Sequence, residues 1–137
     1  MLKVYLASQY GCKEQTRKCA NDLRDVGIDC TSVWLNEPHD PTSRLVSLHE
    51  NLKVQYAEQD IADILRADIF VVFSVTEDTS IVRGGMVFET GFAYGQGKPV
   101  IVCGPKQCIF HFLPDIQQVE TWTEALAILK KKAEEQE

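Results

Sequence analysis

Two short stretches limit the fold more than anything else in the chain: IFVVFSV at residues 69–75 and PVIVC at residues 99–103. Both are nearly continuous apolar runs, rich in β-branched residues, with no polar residue at every second position. An alternating strand buries one face, whereas a strand apolar throughout buries both. Sheets covered on both faces are the parallel sheets of α/β domains. A third apolar run, LKVYLA at residues 2–7, opens the chain, residues 28–34 alternate, and residues 118–120 read as a weak last strand.

Helical patterns fill the intervals. Residues 12–26 set Ala20, Leu23 and Val26 against Lys13, Arg17, Lys18 and Arg24, and Gly27 follows as a stop signal. A second pattern runs to about residue 67, clearest over Ala57, Ile61, Ile64 and Leu65, and its early part near 45–52 reads as a separate short helix. A third spans residues 84–97. The last begins at a capping residue, Thr121 or Thr123, and reaches Lys130, Lys131 and Lys132, with an acidic tail expected to fray beyond them. Strands alternating with helices predict one α/β domain over residues 1–137. Its expected form is a flavodoxin-like three-layer sandwich, a five-stranded parallel sheet in order 2-1-3-4-5 with helices on both faces.

In such a sheet, ligands bind beyond the carboxyl ends of the strands, at the switch point between strands 1 and 3. That rule brings together residues 7–13, the loop after Val75 and the start of the helix at Gly84. The candidate site is sought there.

Glu89 stands out in GGMVFETGFAYG at residues 84–95. Its helical neighbours Gly85, Met86, Phe92 and Ala93 carry no charge. The helix opens at two glycines, whose free N–H groups and dipole favour an anion, so an ionised Glu89 suits a nucleophile better than an acid. The competing reading is a structural Glu bonded to backbone. Tyr5 shares a strand face with Lys3 and Ala7, and reads either as a core aromatic or as a site hydroxyl. Asp60 lies on the second helix beside Tyr56, Ala57, Asp63 and Ile64. Arg83, next to Gly84 and Gly85, places a cation where a phosphate at a helix N-terminus would need one. Ser8 and Gln9, with Lys13 and Arg17, border the same crevice. His111, between Phe110 and Phe112, reads as packing or an interface rather than catalysis, and His39 and His49 have no partners in the sequence.

Charge narrows the partners. A net charge of −6 with a pI near 5.1 argues against nucleic-acid polymers and anionic membranes, though not against a small phosphorylated ligand. No apolar run approaches the ~18 residues of a membrane span, and no signal peptide precedes the first strand, so a cytoplasmic protein is expected. The five cysteines form no CxxC pair and no zinc spacing, and buried, reduced thiols are expected with no metal. GxGxxG, GxxxxGK[ST] and GxSxG are all missing, which leaves no expected cofactor.

KVYLAS at residues 3–8, AEQDIADILRADIFVV at 57–72 and GGMVFETGFAYGQGKPVIV at 84–102 resemble the nucleoside 2-deoxyribosyltransferase superfamily, which includes the 2′-deoxynucleoside 5′-monophosphate N-glycosidases. The resemblance implies an enzyme that handles deoxyribose, with Glu89 as a nucleophile that attacks C1′ and displaces the base. The sugar then passes to another base or to water. Asp60 matches the second carboxylate, which orients the sugar and assists protonation of the base, and Tyr5 matches the tyrosine that holds the nucleophile. Transferases of the family commonly carry an acid six positions before the nucleophile; here that position is Arg83, which favours a 5′-phosphate. The loop SQYGCKEQTR only partly imitates the Gly/Ser/Arg-rich loop of the monophosphate hydrolases. The resemblance also implies a homo-oligomer, a dimer or larger, with residues 110–112 as a possible contact. The competing reading is a non-catalytic nucleotide-binding or sensor module of the same fold.

Overall fold

The computed structural model describes residues 1–37, 50–74 and 85–136. Its elements in chain order are β1 (Lys3–Ala7), α1 (Lys13–Asp25), β2 (Asp29–Cys30), α2 (Glu50–Arg66), β3 (Ile69–Phe73), α3 (Gly85–Gly95), β4 (Val100–Cys103), β5 (Gln117–Val119) and α4 (Trp122–Glu135). Short 3-10 turns at Tyr10–Cys12, Val33–Asn36 and Ile109–Phe112 join them. The sheet has order β2-β1-β3-β4-β5, and every pairing is parallel. This is the expected topology.

β3 and β4 are buried along nearly their whole length, as their unbroken apolar sequences require. Tyr5, Leu6, Phe70 and Ile101 are among the largest fully buried side chains. The register pairs Tyr5 with Phe70 and Phe73 with Cys103. Alternation along a strand therefore turns Tyr5 and Phe70 to one face and Phe73 to the other. α2 and α3 touch each other on the Tyr5 face. α1 and α4 share the opposite face, where the Trp122 indole N–H donates to Asp22 at 2.9 Å and its ring packs on Phe73. Parallel strands joined by right-handed crossovers produce this division of helices.

Several boundaries differ from expectation. β2 is two residues long rather than a strand over 28–34. The Ser32 hydroxyl accepts the Leu6 N–H at 2.7 Å and donates to the Leu6 carbonyl at 3.0 Å, and the Trp34 indole donates to the same carbonyl. Both main-chain groups that a longer β2 would use are thus occupied by side chains. β3 ends at Phe73, and α3 is described from Gly85. Of the two candidate caps, Thr121 is the one used: its hydroxyl accepts the Glu124 N–H. α4 does not fray after the lysines but continues to Glu135, with Ala133 packed against the core. Gly27 ends α1 with φ +79°, a left-handed turn that disfavours a side chain. Arg83, Gly84, the loop after Val75, His39, His49 and the short helix expected near 45–52 lie outside the described residues, apart from that helix's final residues, which belong to α2.

Candidate active site

Tyr5, from the middle of β1, meets Glu89 from α3. Tyr5 is 1% exposed, and its ring is stacked on Phe70 with centroids 5.5 Å apart. Its hydroxyl donates to Glu89 Oε2. Glu89 comes from α3, next to the buried Thr90, which donates back to the Met86 carbonyl and anchors that turn. Burial raises the Glu89 pKa to about 7, against the opposing pull of the Tyr5 hydrogen bond. The helix N-terminus, expected to favour an ionised Glu89, does not hold its pKa at the ordinary carboxylate value. Glu89 is the fifth residue of α3 as described, and the dipole acts mainly within the first turn.

Asp60, from α2, completes the group. Its Oδ1 is buried and has no hydrogen-bond partner among the described residues. Its pKa is raised to about 8, first by burial, then by the charges of Glu89, Glu37 and Asp63. Tyr5 is driven well above its ordinary value, by burial and then by Glu89 and Asp60. Two neighbouring carboxyls in a low-dielectric site favour sharing one negative charge. Glu89 keeps it, because the Tyr5 hydroxyl stabilises only that anion. The arrangement can hold a carboxylate beside a carboxylic acid near neutral pH.

A further wall, which the sequence reading did not identify, comes from the segment after β2. The Glu37 carboxylate lies close enough to raise the Asp60 pKa, and it accepts the Tyr10 hydroxyl at 3.4 Å. Its position just beyond the carboxyl end of β2 was the available signal. Lys13 and Arg17, expected along the crevice, turn their donors to this segment instead. Lys13 is 4% exposed; its ammonium donates to the Glu37 carbonyl and lies 5.4 Å from the Tyr10 ring centre. The Arg17 guanidinium donates to the Leu35 carbonyl and pairs with Glu14 at 2.8 Å.

Ser8 and Gln9 do not join the Tyr5–Glu89–Asp60 group. They line a cavity of about 250 Å³ with Cys12, Thr16, Phe73 and Ser74, on the α1 side of the strand ends. Ser8 is three residues beyond Tyr5, so alternation sends its side chain to the other face, where it bonds the Thr16 hydroxyl at 2.7 Å. Gly85 is the first described residue of α3. His111 is buried in its 3-10 turn, and its Nδ1 accepts the Gln107 N–H at 3.1 Å, a packing role. Among the described residues no group of three or more His, Cys, Asp or Glu is arranged to hold a metal ion, and no helix is long and apolar enough to cross a membrane.

With this geometry established, comparison with known proteins identifies the family. The family profile described as Nucleoside 2-deoxyribosyltransferase matches residues 4–118, most of the chain. The chain belongs to the nucleoside 2-deoxyribosyltransferase family. A comparison with curated protein sequences finds no match. Among solved structures, this family member is similar in fold to a 2-deoxyribosyltransferase from Bacillus psychrosaccharolyticus, with a TM-score of 0.64 and 23% identity over 90% of this chain and 89% of that one. It is also similar to a CMP N-glycosidase from Clostridium botulinum, with a TM-score of 0.58 and 21% identity over 93% of this chain and 97% of that one. The matched segment of the 2-deoxyribosyltransferase-like chain contains Tyr5, Asp60 and Glu89.

Proposed function

We propose that this protein cleaves or exchanges the N-glycosidic bond of a 2′-deoxynucleoside or its 5′-monophosphate, through a covalent deoxyribosyl-Glu89 intermediate. One observation carries the reading: the Tyr5 hydroxyl donates to Glu89 while Asp60, its Oδ1 unpartnered among the described residues, lies alongside. A carboxylate oxygen of Glu89 attacks C1′ as the bond from C1′ to the base nitrogen breaks. Its electron pair leaves with the base, which takes the proton from Asp60. Water or the nitrogen of a second base then attacks C1′, frees the Glu89 carboxylate, and returns a proton to Asp60. A fixed negative charge beside C1′ suits an oxocarbenium-like transition state, as in retaining glycoside chemistry. Tyr5 holds the Glu89 carboxylate in its attacking orientation.

Ser8, Gln9, Gly84, Gly85 and Arg83 are assigned to substrate binding. For Ser8 and Gln9 the support is the cavity of about 250 Å³ that they line at the strand ends. The monophosphate form of the proposal rests on Arg83, since Lys13 and Arg17 are engaged with backbone carbonyls. The protein is further assigned to the cytoplasm and to a homo-oligomer. Ile109, Phe110 and Phe112, each more than 60% exposed on one short turn, support contact with a second copy, to be checked by size-exclusion chromatography with light scattering of the full chain.

The deciding experiment incubates the protein with each deoxynucleoside and deoxynucleoside monophosphate, with and without acceptor base, and follows free base by chromatography. Base release that disappears in Glu89→Gln, with the fold retained, is expected. Tight binding without base release from any substrate would instead indicate a nucleotide-binding module.

A further inference from the structure

α2 is held to the domain in an unusual way. Of its 17 residues only Asp63 and Ile64 are buried, while Leu52, Val54 and Leu65 are exposed. A helix with so narrow an apolar stripe has little to fix its rotation about its own axis. Asp63 supplies that restraint with polar contacts. It is 0% exposed, and its carboxylate accepts the Val33 N–H at 3.0 Å, the Gln59 amide at 2.8 Å and the Arg66 guanidinium at 2.5 Å. Its main-chain carbonyl accepts the Thr31 hydroxyl at 2.9 Å. Side chain and backbone of one residue thereby tie α2 to Thr31 and Val33, where the chain leaves β2 and enters the turn.

Asp60 lies one helical turn earlier, on the same face of α2. A slip of α2 by one residue would rotate Asp60 by about 100° around the axis, away from Glu89. The same turn after β2 leads to Glu37, the other carboxyl that faces Asp60. We propose that Asp63 is a positioning residue, pinning α2 to the turn after β2 so that Asp60 is held facing Glu89. The proposal rests on the reading of Asp60 as the proton donor. Asp63 itself touches no substrate.

The test measures kcat and KM for base release in wild type, Asp63→Asn, Asp60→Asn and the double variant. In Asp63→Asn one carboxylate oxygen becomes an N–H₂ that faces other donors, so the pin is weakened with little change in shape. kcat is expected to fall about 10-fold or more with KM within about threefold, and to fall less than about twofold when Asp60 is already Asn. An equal loss in both backgrounds, or no loss in either, overturns the proposal. Carbon-13 NMR of the Asp60 carboxyl gives a readout independent of turnover. Glu89, Glu37 and Asp63 are the charged groups that raise its pKa, with the Tyr5 and Tyr10 hydroxyls nearby. Read in Thr31→Val, which leaves the Asp63 charge in place, the Asp60 titration midpoint is expected to move down as Asp60 turns away from Glu89, and an unmoved midpoint there overturns the proposal even if wild type releases no base. Should Asp63→Asn fail to fold, Thr31→Val removes the backbone half of the pin, and a lower kcat at unchanged KM is expected. Unchanged kcat in that variant counts against the proposal.

Discussion

The Tyr5 hydroxyl donates to the Glu89 carboxylate across 84 residues of sequence, joining the first strand to the third helix. This bond opposes the effect of burial on Glu89. Tyr5→Phe removes it without disturbing the stack on Phe70. The Glu89 pKa should then rise, and the acid limb of the pH–rate profile should move to higher pH. A loss of about 10-fold in kcat at the wild-type optimum is expected from one hydrogen bond to a charged group.

The raised pKa values place a narrow active window. The proposed mechanism requires ionised Glu89, near 7, and protonated Asp60, near 8, so activity should rise through the first and fall through the second. Because the two carboxyls interact, the limbs belong to the pair. A profile of kcat/KM against pH should be bell-shaped. A flat alkaline side would remove Asp60 from the role of acid.

Asp60 also imposes a pH-dependent cost on folding. Its pKa rises from 3.8 to about 8 on folding, so between these values the native state binds the extra proton and stability declines as pH increases. The stabilisation is complete below 3.8 and lost as pH rises through about 8. Asp60→Asn should therefore gain on wild type in melting temperature across that interval, with the gain levelling off above it. The same variant should lose activity, and melting curves at several pH values check the first half of this prediction.

Gly104 tests the fold next to the cavity. Its φ is +116°, and a Cβ there would lie 2.5 Å from the Ser74 hydroxyl oxygen. Gly104→Ala combines backbone strain with a clash, and a loss of about 2 kcal/mol or more is expected in chemical denaturation. Adding Ser74→Gly should recover part of the loss, since it removes the clash but not the strain.

Much of this architecture was legible in the residues. IFVVF and VIVC are apolar on both faces, and only a sheet covered on both sides accommodates such strands. GGMVFETGFAYG marked Glu89 because a carboxylate among Met86, Phe92 and Ala93 had no local explanation. β2 was misread, because alternation over residues 28–34 shows which way side chains point but not that Ser32 would take both backbone groups of Leu6. Lys13 and Arg17 had the spacing of crevice residues, yet their donors go to carbonyls in another segment.

Sequence alone pointed to a parallel sheet covered on both faces and singled out Glu89, because periodicity and local composition are properties of short stretches, whereas Tyr5 and Asp60 stood out through the family resemblance. Only the tertiary structure determined how those residues act together. The raised pKa values of Asp60 and Glu89, the hydrogen bond from Tyr5 and the contacts of Asp63 all depend on burial and on contacts between distant elements. Those quantities arise when β1, α2 and α3 pack together, and no local pattern carries them.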